Sequence, residues 1–126
     1  MLPLLADGGA IVNTGSSSTA AYGVTPGYAT YAAMKGGLNV LTGHMGKEFS
    51  ARGIRVNAVA PGPTRTRLGG DAFDRNPEAI PPLAARTALG KIGDPDDVAA
   101  MIAVLAGDED RWVTAQILEV SGGFNR

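Results

Sequence analysis

The sequence predicts an α/β fold built on a parallel sheet, and three observations carry that expectation. Ala10-Ile11-Val12 is a continuous apolar run rather than an alternating one, as in a strand covered on both faces. From about Gly27 the apolar period lengthens, with Met34, Leu38, Leu41, Met45 and Phe49 at three- and four-residue steps, which marks a helix. The elements then follow as strand, long helix, strand, cover, helix, strand, the order of parallel strands joined by right-handed crossovers. Three strands are expected.

Leu2 to Leu5 reads as the end of a helix stopped by Gly8 and Gly9, and Ala10 to Thr14 as the first strand. A turn at Gly15 leads into Ser16, Ser17 and Ser18. The long helix ends near Gly53, and its glycines Gly36, Gly37, Gly43 and Gly46 call for close packing against another backbone. Ile54 to Ala60 is β-branched and stops at Pro61-Gly62-Pro63, with Asn57 expected to hold an adjacent loop. Thr64 to Gly93 is broken by Gly69-Gly70, Pro77 and Pro81-Pro82 into short helical pieces around Ala84 to Leu89, and reads as a lid. Asp94 as N-cap, Pro95 and two further aspartates open a helix to about Ala106, with Val98, Met101, Ile102 and Leu105 facing the core. The charges from Asp108 to Arg111 read as a solvated connection, Trp112 as packing under the last strand or at a subunit contact, and Gln116 to Val120 as that strand.

Composition bounds the function. The 126 residues make one domain, with 44% hydrophobic and 18% charged residues and a formal net charge of −1. That charge gives no field to attract nucleic acid. With no cysteine, disulfides and thiolate metal sites are excluded, and the single His44 leaves no histidine cluster for a metal. The opening MLPLLADGGAIV lacks the basic start of a signal peptide and the length of a membrane span, so a cytoplasmic location is expected.

The chemistry sits between the first strand and the long helix. Tyr31 and Lys35 are four residues apart, so a phenol and an ammonium stack on one helix face. An isolated tyrosine holds its proton to about pH 10, and a nearby cation stabilises the phenolate. A serine held opposite can fix a carbonyl or alcohol oxygen while Tyr31 transfers the proton. This suits carbonyl reduction and its reverse. A serine-hydrolase reading fails, because G-S-S-S is not a G-x-S-x-G elbow.

Four motifs in order, G-G-A-I-V-N-T-G-S, Y-A-A-M-K-G-G, R-V-N-A-V-A-P-G and E-V-S-G-G, make the chain resemble the C-terminal half of a short-chain dehydrogenase/reductase along essentially its whole length. The resemblance implies a Rossmann-like doubly wound fold, with residues 1–126 as its C-terminal strands and helices, and NAD or NADP as cofactor. It makes Tyr31 the acid/base and gives Lys35 two tasks, lowering the Tyr31 pKa and binding the nicotinamide ribose. Pro61, Gly62 and Thr64 would approach the carboxamide by backbone, with the Thr66 hydroxyl near it. Asn13 falls at the family's strand-end asparagine. Counting from Asn13 puts the catalytic serine at Ser16; counting back from Tyr31 puts it at Ser18. Strand register favours Ser16.

The family's glycine-rich first turn and its proton-relay asparagine have no counterpart, so the chain is expected to be a truncated portion. Two functions follow. One is an oxidoreductase acting on a small alcohol or ketone, as a homo-oligomer or beside a complementing chain. The other is a non-catalytic packing or assembly module that keeps the motif and uses the small-residue helix face and an open strand edge.

Overall fold

A computed structural model of the chain describes residues 2–126. The three expected strands form, as β1 (Ala10–Thr14), β2 (Arg55–Pro61) and β3 (Ile117–Val120), in one parallel sheet of order β1-β2-β3. Ala10 pairs with Arg55 and Thr14 with Val59, while Ala58 pairs with Ile117 and Pro61 with Val120. The carboxyl ends of all three strands therefore lie along one edge, where Gly15, Gly62 and Ser121 follow. In open parallel sheets that edge is where ligands bind.

The centre of the sheet is the core. Ile54, Val56, Ala58, Val59 and Ala60 are all buried, as suits a central strand covered on both faces, whereas β1, whose continuous apolar run led to that expectation, is only half-buried over Ala10–Asn13. Asn57 is buried among them and does hold a loop. Its Nδ2 donates to Val113 O at 2.9 Å, and its Oδ1 accepts from the Gln116 N–H at 3.0 Å.

Helix α1 (Ala29–Glu48) crosses from β1 to β2, and a short 3-10 turn at Ser50–Arg52 ends at Gly53 with φ 67°. Its buried face differs from the expected one. Thr42 and Gly46 are buried, whereas Met34 is 72% and Leu41 49% exposed. The reason is the closeness of the packing: a Cβ on Gly46 would lie 3.1 Å from Ala115 Cα, so small residues face the chain there. The same test finds nothing within 4 Å of Gly36, Gly37 or Gly43 among the described residues, so close packing accounts for one helix glycine of the four.

Past β2, the cover contains α2 (Leu68–Arg75), a 3-10 turn at Pro77–Ala79 and α3 (Ile80–Ala85). Its helical pieces lie earlier than expected, because Thr87 to Gly90 turns back to bond Gly122 and Gly123. Helix α4 (Pro95–Ala106) begins as its capping pattern predicts: the Asp97 side chain accepts from the Asp94 N–H at 2.9 Å, and Leu105 is 2% exposed.

Two further expectations change. Asp110 is not a solvated charge: it lies 2.6 Å from Arg55 Nη1, with side-chain exposures of 12% for Arg55 and 8% for Asp110. The guanidinium aims its hydrogen bonds at Leu105 O (3.1 Å) and Gly107 O (2.5 Å), so Asp110 meets it as a charge partner rather than through an aligned bond. Trp112 is 96% exposed and does not pack under β3. No helix among the described residues is long and apolar enough to cross a membrane.

Candidate active site

The end of β1 and the start of α1 build the site. Gly15 continues the ladder by donating its N–H to Val59 O at 2.7 Å, and Ser16, extended at φ −163° and ψ 145°, opens a 3-10 turn over Ser17–Thr19. Ser16 is 8% exposed. Its Oγ accepts from the Ser18 N–H at 3.2 Å and from the Ser18 hydroxyl at 2.9 Å. The two serines that sequence counting set against each other thus form one hydrogen-bonded unit. A hydroxyl oxygen has two lone pairs and one hydrogen, so what Ser16 retains is its capacity to donate.

Tyr31 and Lys35 meet as their spacing requires, with Lys35 Nζ 5.8 Å from the centroid of the Tyr31 ring. Lys35 also donates to Thr14 O at 2.7 Å, tying α1 to the last residue of β1. Tyr28 stands edge-on to Tyr31, centroids 6.0 Å apart and planes at 88°. Asn13 is held by Thr42: its Nδ2 donates to Thr42 Oγ1 at 2.9 Å, and Thr42 Oγ1 donates to Leu38 O at 2.8 Å.

The residues after β2 are engaged in their own loop. Gly62 donates its N–H to Val120 O at 3.0 Å and accepts from Thr64 Oγ1 at 2.9 Å. A Cβ on Gly62 would lie 2.8 Å from Ser121 Cα, so glycine is required for the packing of β2 against β3. The Thr66 hydroxyl accepts from the Leu68 N–H at 3.3 Å. Pro63 and Thr64 line a cleft of about 160 Å³ with Leu89, Lys91, Val120 and Ser121, where the cover meets the carboxyl ends of β2 and β3.

A family model described as enoyl-(acyl carrier protein) reductase matches residues 1–125. The chain belongs to the short-chain dehydrogenase/reductase family. The 3alpha-hydroxysteroid dehydrogenase of Mediterraneibacter gnavus is 45% identical over 116 residues, which cover 91% of this chain and 44% of that protein. Among solved structures, the angucycline C-6 ketoreductase LanV with bound NADP aligns with a TM-score of 0.89 at 33% identity, covering 98% of this chain and 46% of that one. A short-chain dehydrogenase/reductase from Serratia marcescens aligns with a TM-score of 0.84 at 33% identity, covering 99% and 49%. This short-chain dehydrogenase/reductase sequence thus spans a little under half the length of the relatives it matches, in their Rossmann-like arrangement of parallel strands and helices.

One cluster escaped the sequence. Tyr22, in the short turn before α1, donates its hydroxyl to Glu119 Oε2 of β3. Arg126 donates to the Tyr22 hydroxyl at 2.6 Å and to Glu119 at 2.7 Å, and its guanidinium lies 4.1 Å from the centre of the Tyr22 ring. Burial opposes ionisation of Glu119, but hydrogen bonds from Ser121, Tyr22 and Arg126 outweigh it and hold the carboxyl below the usual glutamate value. Burial and the neighbouring Glu119 push the Tyr22 phenol up. The alternation of β3 offers a hint, since Glu119 lies between Leu118 and Val120 in a strand that starts and ends apolar. Nothing in the order of the chain pairs it with Tyr22.

Proposed function

We propose that this chain carries the acid/base side of an NAD(P)-dependent oxidoreductase site that interconverts a small alcohol and a ketone. The observation that carries the reading is the Tyr31–Lys35 pair, with Lys35 anchored on Thr14 O and its ammonium beside the phenol ring. In the direction of reduction, the Ser16 hydroxyl donates a hydrogen bond to the ketone oxygen, with Ser18 filling its lone pairs. Tyr31 delivers the proton to that oxygen, and Lys35 balances the negative charge left on the phenol. In oxidation the same proton returns to Tyr31.

NAD or NADP, when bound, supplies or accepts the hydride. The donor set suits such a group: an ammonium has three N–H donors, and Lys35 keeps two beyond the one committed to Thr14 O. Pro61 and Gly62 close β2 at that sheet edge and Thr64 and Thr66 follow; the Gly62 N–H is already engaged by Val120, and Pro61 and Pro63 have none, so the nearest backbone N–H that could serve the carboxamide is that of Thr64. The cover from Thr64 to Gly93 would close over the substrate.

The test is NADPH or NADH titrated to millimolar concentration while backbone and Tyr31 side-chain NMR shifts are followed, with reduction of ethyl acetoacetate measured for the parent and Tyr31→Phe. Shifts centred on Thr14, Tyr31 and Lys35, and a rate in Tyr31→Phe lower by on the order of a hundredfold or more, are expected. Shifts elsewhere, or none, overturn the reading.

A second reading has its own support. Met34 and Leu41, seven residues apart on α1, present an exposed apolar face of the kind that mates with another helix. On that reading the chain works in an assembly, with itself or with a complementing chain. A strictly monomeric species in sedimentation at micromolar concentration would count against it.

A further inference from the structure

Tyr31, Lys35 and Asn39 are spaced four residues apart on α1, which stacks them on one face. The third has no part in the reaction above, yet its amide reaches the turn that carries Ser16. Asn39 Nδ2 donates to Thr19 Oγ1 at 3.0 Å, and Thr19 Oγ1 donates in turn to Ser16 O at 2.8 Å. A threonine hydroxyl has a single hydrogen. With that hydrogen on Ser16 O, the Thr19 oxygen can only accept, so the chain of bonds runs one way, from α1 to the Ser16 carbonyl.

The other half of the amide shows how closely the two pieces fit. A Cβ on Gly15 would lie 2.7 Å from Asn39 Oδ1 and 3.2 Å from Val59 O, so only glycine lets the side chain in. Asn39 Oδ1 is buried without a hydrogen-bond partner among the described residues. A buried acceptor left unpaired weakens a fold, so Asn39 gives up stability to keep its Nδ2 on Thr19. Ser16 is gripped on both sides: by the ladder through the Gly15 N–H, and by α1 through Thr19 and its own carbonyl.

We infer that Asn39, acting through Thr19, is a positioning residue that sets the Ser16 hydroxyl against the Tyr31–Lys35 pair. The inference rests on Ser16 being the donor in the proposed reaction. Its logic is rigidity: the helix that carries the proton-transfer group also fixes the serine that orients the substrate, so their separation does not drift. A misplacement of about 1 Å in such a constellation lowers the rate on the order of a hundredfold.

The experiment compares the parent chain with Asn39→Leu, Thr19→Val, the double variant and Thr19→Ser, by amide hydrogen exchange and by steady-state reduction of ethyl acetoacetate with NADPH. Asn39→Leu and Thr19→Val should each speed exchange of the Thr19 N–H, which is bonded to Ser16 O, on the order of tenfold while β2 keeps its protection. Each should lower kcat on the order of tenfold to a hundredfold with KM unchanged. The double variant should be no worse than either single, because one chain of bonds can be broken only once. Thr19→Ser, which keeps the hydroxyl, should retain the parent kcat. Losses that add in the double variant, a rise in KM with kcat unchanged, or loss of protection spread through β2 would overturn the inference. A parent chain that reduces no ketone defeats the oxidoreductase reading, and unaltered Thr19 exchange in Asn39→Leu separately defeats the positioning role.

Discussion

Lys35 and Thr14 are joined by a 2.7 Å hydrogen bond in which a helix side chain holds the last carbonyl of a strand. The bond gives Lys35 a structural task that does not depend on any ligand. It also fixes the height of the ammonium beside Tyr31.

Replacing Lys35 separates the two tasks. Lys35→Arg keeps a positive charge and an N–H donor for Thr14 O, but its planar fork sets the charge away from the point that Nζ takes beside Tyr31. Reduction of a ketone should fall on the order of a hundredfold while the thermal midpoint stays close to that of the parent. Lys35→Met loses charge and bond together, and exchange of the amides around Thr14 should rise as well. Kinetics and exchange on the same samples check both.

The glycines of α1 should part company. Gly43→Ala meets nothing within 4 Å among the described residues and should stabilise the chain by about 0.5–1 kcal/mol through helix propensity alone. Gly46→Ala places its methyl 3.0 Å from Ala115 Cβ and 3.1 Å from Ala115 N, so backbone must move. A net loss of about 1–3 kcal/mol in urea unfolding is expected, the range for overpacking.

The buried pair offers a sharper test of stability. Asp110→Ala leaves the Arg55 guanidinium with the Leu105 and Gly107 carbonyls but no counter-charge. The loss should be about 3 kcal/mol, the low end for breaking a buried pair, because those two bonds survive. Asp74→Ala, whose 3.9 Å contact with Arg65 is largely exposed, should change stability by about 0–1 kcal/mol. Chemical denaturation of both variants makes the comparison.

These contrasts mark what could be seen in the chain beforehand. β1, α4 and the role of Asn57 were legible because each depends on local pattern: an apolar run, a capping sequence, a polar residue inside a strand. The Tyr31–Lys35 pair was legible because a helix brings its fourth neighbours together. Asp110 and Arg55 were not, since two charges far apart in sequence carry no sign that they meet inside. The buried face of α1 departs from its apolar stripe because apolar residues need not face inward: close approach to Ala115 selects Gly46, and Thr42 is turned in to meet Asn13.

Acid should loosen the tie between Glu119, Tyr22 and Arg126. Because the folded chain holds the Glu119 carboxyl below its ordinary value, the stabilisation is present above the unfolded value of about pH 4.3 and is lost as pH falls through the folded one. The Tyr22 phenol, pushed up in the fold, contributes below about pH 10 and loses its contribution as pH rises through the raised value. In Glu119→Gln the acid limb of a melting-temperature profile should flatten; a variant that falls in parallel with the parent would show that other groups govern it.

The pairing of Ala10 with Arg55 has a kinetic consequence. The β1–β2 ladder closes only after the whole of α1 has been brought round, and closing so long a loop is slow unless the intervening chain is already stiff. Once formed, an α1 of 20 residues supplies that stiffness, reaching about 30 Å as a single strut. Substitutions that weaken α1 should therefore slow refolding, whereas loss of the Asn13–Thr42 or Lys35–Thr14 bond, which forms once strand and helix have docked, should chiefly quicken unfolding. The helix that brings the reactive groups together is then also the element on which closure of the β1–β2 ladder depends.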